Sequence, residues 1–200
     1  MSESNISKTQ TRIINCALTL FKEHGYNNVT IQQICKSAGV TKSTFYYHFP
    51  SKEALIEGYT DQISRSTQEI FSDILALDSH IKQLWAIFSS YTQKNNEYGA
   101  SIVNQVYSTM LSTCDEIIFP QSLSLFNTVV ILIEKAQKAK EIENMAPACD
   151  IAEILYYGSR GIVYSWAVEQ GAFRLEDRFK DLFNTLLLPV KEHVIIISQS

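Results

Sequence analysis

Hydrophobic residues recur at helical intervals along almost the whole chain, and turn-forming residues separate one run from the next. In the first run, Ile14, Ala17, Leu18 and Phe21 follow the i, i+3, i+4, i+7 spacing that gives a helix one buried face. The spacing predicts a first helix over about residues 7–24.

Residues 29–55 have the pattern of two short helices joined by a tight turn. Thr30 lies three residues before Gln33, the spacing of a capping box, and predicts a helix start. Gly39 supplies the left-handed residue that ends this helix, and Thr41 caps the next one. A helix-turn-helix of this kind places its second helix in the major groove of DNA. The pattern therefore predicts a DNA-binding head.

The rest of the chain predicts longer helices. The first runs from Ser51 to about Leu77, and the others cover about 79–95, 99–113, 122–141, 148–171 and 175–197. Pro189 should bend or interrupt the last one. We expect an all-α fold of about nine helices, with a three-helix head in residues 1–52 and a larger helical bundle in residues 53–200.

The distribution of charge supports this division. The whole chain carries a net charge of −4. Residues 1–52 hold six Lys or Arg and two Asp or Glu, whereas residues 53–200 hold eleven and nineteen. A basic head (+4) on an acidic body (−8) is the asymmetry expected when one end of a protein meets phosphate. The alternative is a chance fluctuation over a short window.

Other classes of protein lack support in the sequence. We find no G-x-S-x-G, no phosphate-binding glycine loop and no H-E-x-x-H, so an enzyme is not expected. The four cysteines and four histidines have no metal-ligand spacing, and we predict no metal and no cofactor. The cysteines are expected to be reduced structural thiols, with a redox switch as the alternative. A polar N-terminus and short aliphatic runs predict a cytoplasmic protein without a membrane span.

The head resembles the N-terminal signature of the TetR family, the tetracycline-repressor-like transcription factors. The resemblance covers roughly residues 8–60 and rests on T-x-x-x-I at 30–34, AGVT at 38–41, TFYYHF at 44–49 and SKEAL at 51–55. It implies an all-helical homodimer with a divergent ligand-binding and dimerisation body. It also implies that Thr30 and Lys52 contact DNA phosphates, and that Tyr46, Tyr47 and His48 lie against phosphate or the edge of the site.

Three polar residues lie in the first turn of the predicted recognition helix. Lys42 is suited to a guanine edge, and Thr44 to a hydrogen bond with a base or a thymine methyl contact. Many family members have Gly where this chain has Ser43, so its base preference should differ. The predicted DNA-binding residues are Thr30, Thr41, Lys42, Ser43, Thr44, Tyr46, Tyr47, His48 and Lys52. The alternative is that the threonines only cap helices and Tyr46 only packs.

The body gives two further sets of candidates. By resemblance to the family, the dimer interface lies on the last two long helices, and the candidates are Ile154, Leu155, Gly158, Ile162, Phe183, Leu186, Leu187 and Val190. For a small-molecule ligand the candidates are the polar-tipped aromatics Trp85, Tyr91, Tyr107, Tyr156 and Tyr164, with Arg160 as an anion partner. For both sets the alternative is ordinary core packing, and for Arg160 it is an internal ion pair.

The function that these observations favour is a homodimeric repressor that binds a palindromic DNA operator and is released by a small-molecule effector of unknown identity. Release by ligand is implied by the family resemblance alone. The alternatives are an activator or a ligand-independent regulator, and a helical protein-interaction module whose helix-turn-helix merely packs.

Overall fold

A computed structural model describes residues 7–55, 73–74, 76–113 and 123–195. Most of the predicted connecting helix from Ser51 to Leu77 lies outside these residues, as does Cys114. The described residues form eight α-helices and contain no β-strand. The helices are α1 (Lys8–His24), α2 (Ile31–Ala38), α3 (Lys42–His48), α4 (His80–Tyr98), α5 (Ala100–Thr113), α6 (Leu123–Lys138), α7 (Ala148–Val168) and α8 (Leu175–Leu187). The all-α prediction is confirmed.

Local capping sets the limits of the head helices, and the caps at Thr30, Gly39 and Thr41 are the ones that the sequence predicts. Ser7 and Gln10 form a capping box at the start of α1, and Gly25, with φ 79°, ends it. Gly39 ends α2 in the left-handed conformation at φ 61°. Between α1 and α2 the chain adds a short 3₁₀ turn, Tyr26–Asn28.

The body is organised around α7, which packs against α5, α6 and α8. Aromatic rings fill the space between α4, α7 and α8. The Phe88 ring centroid lies 5.3 Å from that of Tyr156 and 5.1 Å from that of Phe183. Trp85 meets the same Phe183 ring edge-on at 5.3 Å. Edge-to-face and tilted contacts at these distances add to the stabilisation from burial alone.

The predicted last helix over 175–197 is wrong from Leu188 to Ile195, and residues 196–197 lie outside the described part of the chain. Leu188 adopts a left-handed conformation with φ 50°, and Pro189 forms an isolated antiparallel bridge with Ile142. Proline cannot donate the hydrogen bond that would continue the helix. The interruption at Pro189 is thus confirmed, and it turns the chain back onto the loop before α7.

The head contacts the body directly. The side chain of Lys22, in the last turn of α1, donates a hydrogen bond from Nζ to the carbonyl oxygen of Glu97 at 2.9 Å. Both α1 and the 3₁₀ turn pack against α5. The head is therefore seated on the α4–α5 corner.

A buried carboxylate holds the far end of the body together. Glu141 accepts hydrogen bonds from the Ser79 hydroxyl (2.9 Å) and from the backbone N–H groups of His80 (3.1 Å) and Ile81 (2.8 Å), at the start of α4. Burial by itself would raise the pKa of this carboxyl. The hydrogen bonds outweigh that effect, and the pKa is lowered.

We predict that Glu141→Gln, which removes the charge, lowers the free energy of unfolding at neutral pH by about 1–2 kcal/mol. Because the folded-state pKa is depressed, the contribution is present above the ordinary value of about 4.5 and is lost as the pH falls through the lower folded value. Urea unfolding followed by circular dichroism at several pH values measures both effects. The matched control is Glu143→Gln at an exposed position two residues away. Equal effects of the two substitutions would contradict the assignment.

Candidate nucleic-acid interface

The recognition helix α3 is fixed by one face and open on the other. Phe45 is completely buried against the head core, and Phe49 packs beside it with ring centroids 5.8 Å apart. The other face carries Lys42, Ser43 and Tyr46, all of them exposed. Because Phe45 holds one face of α3 in the core, the polar face predicted from the sequence points to solvent.

Hydroxyl groups cluster at the N-terminus of α3. The Thr41 Oγ1 atom accepts a hydrogen bond from the backbone N–H of Thr44 at 3.1 Å. It also lies 2.8 Å from Ser43 Oγ and 2.9 Å from Thr44 Oγ1. Capping is therefore one role of Thr41. The mutual hydrogen bonds orient the three hydroxyls on one exposed edge, where small polar side chains approach bases most easily.

Thr30 is the cap of α2. Its backbone N–H donates to Gln33 Oε1 at 2.8 Å, while its hydroxyl accepts from the Gln33 N–H at 3.3 Å. The capping box predicted from the sequence is confirmed. The phosphate contact assigned to Thr30 stays a prediction, and the side chain is exposed at the helix start where such a contact would form.

Two tyrosines project from α3. Tyr46 is 53% exposed and its ring meets Phe45 edge-on at 5.5 Å, whereas Tyr47 is 84% exposed. Next to Tyr47, the ring of His48 lies 4.9 Å away and is half-buried. Aromatic rings left in water next to donors are typical of surfaces that bind a partner. Packing alone does not account for Tyr47.

Lys52 has a structural role that sequence reasoning missed. Its Nζ atom donates hydrogen bonds to the carbonyl oxygens of Tyr26 (2.9 Å) and Val29 (3.1 Å). The same ammonium lies 4.0 Å from the centroid of the Tyr26 ring, a cation–π contact. In the free protein Lys52 therefore ties the segment after α3 to the turn before α2. A contact with phosphate stays a prediction for this residue.

Tyr26 completes the same cluster. Its hydroxyl donates a hydrogen bond to Glu53 Oε1 at 3.1 Å. Burial and the neighbouring Glu53 carboxylate raise the pKa of the Tyr26 hydroxyl, so that it stays protonated and keeps donating. No local pattern in the sequence signals these pairs, because the partners are more than twenty residues apart.

The predicted ligand residues fall into two groups. Trp85, Tyr91 and Tyr156 belong to the packed aromatic core, with Tyr91 6.2 Å from Phe179. The other three lie together between α5 and α7. There the Tyr107 hydroxyl donates to the backbone oxygen of Arg160 at 3.3 Å, and its ring meets that of Tyr164 at 5.6 Å. Burial raises the pKa of Tyr107. The two groups meet where the side chains of Tyr91 and Tyr107 form a hydrogen bond, and ligand binding stays a prediction for all six residues.

The predicted dimer residues include three that are buried within the chain and five that are accessible. Leu155, Phe183 and Leu187 are completely buried within the chain and leave no surface for a partner. Their apolar character comes from the body core. Ile154 is exposed, and the remaining four are at least partly accessible, namely Gly158, Ile162, Leu186 and Val190. Tyr157 and Val168, which are not among the candidates, are exposed on the same side of α7 as Ile154.

Comparison with known proteins agrees with this geometry. A family model described as bacterial regulatory proteins, tetR family, matches residues 13–59, which span the helix-turn-helix. The transcriptional regulator UidR of Escherichia coli K12 is 42% identical over 55 residues, 28% of each chain. The negative regulator IcaR of the icaADBC biofilm operon in Staphylococcus aureus (strain Newman) is 46% identical over 46 residues, 23% of this chain and 25% of IcaR. The matched region thus spans about a quarter of these relatives' length.

The likeness of fold extends over nearly the whole chain. The FadR repressor of Thermus thermophilus, solved with lauroyl-CoA, superposes with a TM-score of 0.64 over 95% of this chain and 97% of that one. The sequence identity is 17%, so this likeness establishes the fold alone. In the described part of the chain, no helix combines the length and the apolar character needed to cross a membrane.

The Lys52 contacts give a testable prediction. Lys52→Ala should lower the free energy of unfolding by about 1–3 kcal/mol, because it removes two charge-assisted hydrogen bonds and a cation–π contact. Thermal unfolding measures the loss, and hydrogen exchange should localise it to residues 26–29. The control is Lys42→Ala, which removes the same charge from an exposed position on α3. If the two substitutions are equally mild, Lys52 does not stabilise the head.

Proposed function

Because this chain belongs to the TetR family of bacterial regulatory proteins, we propose that it is a sequence-specific DNA-binding repressor of transcription. The observation that carries the proposal is the arrangement of α3. Phe45 anchors one face in the core, while Lys42, Ser43 and Tyr47 are exposed to solvent. A short helix fixed in this way can enter the major groove without rearrangement.

The charge of the head supports a DNA partner. Residues 1–52 carry a net charge of +4 in a chain whose net charge is −4. Neutralising phosphates releases counterions and supplies much of the affinity, whereas contacts with base edges supply specificity. On this proposal Lys42 contributes to affinity through a phosphate, or to both affinity and specificity. Ser43 and Thr44 contribute to specificity through base edges.

The repressor acts as a homodimer on a palindromic operator. Two-fold symmetry in the protein matches two-fold symmetry in the DNA, and two recognition helices reach successive major grooves roughly 34–36 Å apart. A dimer interface in the body, residues 53–200, leaves both heads, residues 1–52, free to bind. Repression rather than activation is supported by IcaR, which is a negative regulator.

A small molecule bound in the body releases the repressor. The support is the likeness to regulators solved with lauroyl-CoA and stearoyl-CoA, and the direct seating of the head on the α4–α5 corner. A coupling of about 1–3 kcal/mol corresponds to a 5- to 150-fold loss of DNA affinity. Titration of lauroyl-CoA and other amphipathic compounds into the preformed DNA complex measures release. A compound that binds tightly without weakening DNA binding has no coupling and is not the effector.

Substitutions in α3 test the DNA contacts. Lys42→Ala should weaken binding and reduce the slope of log affinity against log salt by about one, since one phosphate or base-edge charge is lost. Thr44→Ala should weaken binding less and also change the base preference, by about 1–3 kcal/mol at one position. Fluorescence anisotropy with duplexes varied at single positions measures both effects.

The matched control is Lys138→Ala, an equal loss of charge at the exposed end of α6. It should leave the affinity and the salt slope almost unchanged. If Lys138→Ala and Lys42→Ala have the same effect, the head has no privileged contact with DNA. If Thr44→Ala weakens binding equally on every sequence, Thr44 does not contact a base.

A further inference from the structure

One hydroxyl oxygen joins the two side chains that the proposed function assigns to base reading. Thr41 Oγ1 lies 2.8 Å from Ser43 Oγ and 2.9 Å from Thr44 Oγ1. It also accepts a hydrogen bond from the backbone N–H of Thr44 at 3.1 Å. Thr41 and Ser43 are exposed and Thr44 is half-buried. This hydroxyl cluster therefore belongs to the part of α3 whose residues contact base edges in a helix-turn-helix.

The hydrogen-bonding capacity of Thr41 is fully used within the hydroxyl cluster. A hydroxyl group has one hydrogen to donate and two lone pairs that accept. Because the N–H of Thr44 can only donate, it occupies one lone pair of Thr41 Oγ1. The hydrogen serves one neighbouring hydroxyl and the second lone pair serves the other. Thr41 can therefore influence DNA recognition only through its two partners.

This division gives Ser43 and Thr44 opposite roles towards DNA. The side chain that donates its hydrogen to Thr41 can only accept from a base. The other side chain accepts from Thr41 and keeps its own hydrogen, so it can donate to a base. Either oxygen can be the donor in each of the two hydroxyl contacts, so the direction can reverse. It reverses in both contacts together, because Thr41 has only one hydrogen.

Base edges in the major groove distinguish these patterns. Guanine offers two acceptors, N7 and O6, and thymine offers the O4 acceptor, whereas adenine N6 and cytosine N4 carry amino donors. One donor and one acceptor match an acceptor on one base and an amino group on its neighbour, about 3.4 Å further along the strand. Two neighbouring bases that offer only acceptors would need two donors. The hydroxyl cluster cannot supply two donors while both contacts with Thr41 are kept.

Helix capping alone does not require a hydroxyl at position 41. A cap needs only an acceptor for the N–H of Thr44, and aspartate, asparagine and serine cap helices at least as well as threonine does. An ionised aspartate accepts but has no hydrogen to donate, and an asparagine accepts and donates at different atoms. Among these residues, only serine and threonine cap the helix and divide one hydroxyl between two neighbours.

We propose that Thr41 is a positioning residue that couples the base preferences of Ser43 and Thr44. The two side chains read neighbouring bases as one donor and one acceptor, so the base at one position determines which base is preferred at the other. The proposal rests on the DNA binding of the proposed function and specifies how α3 discriminates between bases.

Affinities for duplexes changed at two positions test the coupling. Selection from random sequences with the full chain gives a preferred duplex, and Ser43→Ala and Thr44→Ala identify the base that each hydroxyl faces. Fluorescence anisotropy then compares four duplexes, in which acceptor and amino-bearing bases are exchanged at neither, either or both positions. The effect of both exchanges should differ from the product of the two single effects by about two- to tenfold, the contribution of one hydrogen bond.

Variants of Thr41 separate this non-additivity from capping. Thr41→Ser keeps the cap and the shared hydroxyl, so the non-additivity should persist. Thr41→Asp keeps the cap, but its carboxylate accepts from both hydroxyls, so the non-additivity should disappear and amino-bearing bases should be preferred at both positions. Thr41→Asn adds no charge, and its amide can donate to both hydroxyls, so the non-additivity should disappear here too. Non-additivity that comes from the shape of the DNA would survive both of these substitutions.

The control for the added charge is Ser37→Asp, at an exposed position of α2 in the same head. It should weaken binding to every duplex alike and leave the non-additivity unchanged. Circular dichroism verifies that each variant keeps its helix content.

The outcomes are distinguishable. Non-additivity that Thr41→Ser keeps and that Thr41→Asp or Thr41→Asn removes supports the coupling. If the single effects simply multiply in the unmodified protein, or if the non-additivity survives Thr41→Asn, the coupling is overturned and the DNA-binding function stands. If the selection recovers no sequence, the proposed function fails and the coupling fails with it.

Discussion

The proposed DNA interface depends on the packing of Phe45 in the core of the head. A helix of seven residues such as α3 is too short to be stable alone in water, so packing must hold it. Phe45 supplies that packing from the middle of the helix, with Phe49 beside it. Fixing one face determines the direction of the other, and the polar residues of α3 are presented to solvent as a consequence. The capping hydroxyl of Thr41 then sets where the helix begins.

Features of the head that depend on neighbouring residues could be predicted from the sequence. The capping box at Thr30 and the left-handed Gly39 act over three or four residues, and the structure has them at the predicted positions. The cluster around Tyr26 could not be predicted in the same way. Lys52 reaches Tyr26 and Val29 only after the chain has folded back, and its side chain is equally suited to a phosphate. The local sequence around Lys52 indicates a positively charged side chain, but it does not indicate whether that side chain binds a carbonyl oxygen or a phosphate.

In the body, the sequence indicated the helices but not which apolar face would be buried. Helix α7 has apolar residues on two sides, and only packing against α5, α6 and α8 makes Leu155 part of the core and leaves Ile154 outside. A hydrophobic periodicity marks both positions equally. Trp85 and Tyr156, predicted as ligand residues, lie in the packed aromatic core. The sequence does not distinguish an aromatic residue of the core from one that lines a pocket. The end of α8 could be predicted from one residue, because Pro189 has no backbone N–H to continue the helix.

The central claim is that the exposed face of α3 reads a DNA sequence. The most direct measurement is the anisotropy of the purified full chain titrated against the duplex upstream of its own gene and a scrambled duplex, at two salt concentrations. The account predicts a preference of at least about a thousandfold for one sequence, persisting at the higher salt. If the upstream duplex shows no preference, selection from random sequences should recover a palindromic site. Failure to bind either duplex, or salt-sensitive binding with no sequence recovered by selection, would contradict the claim.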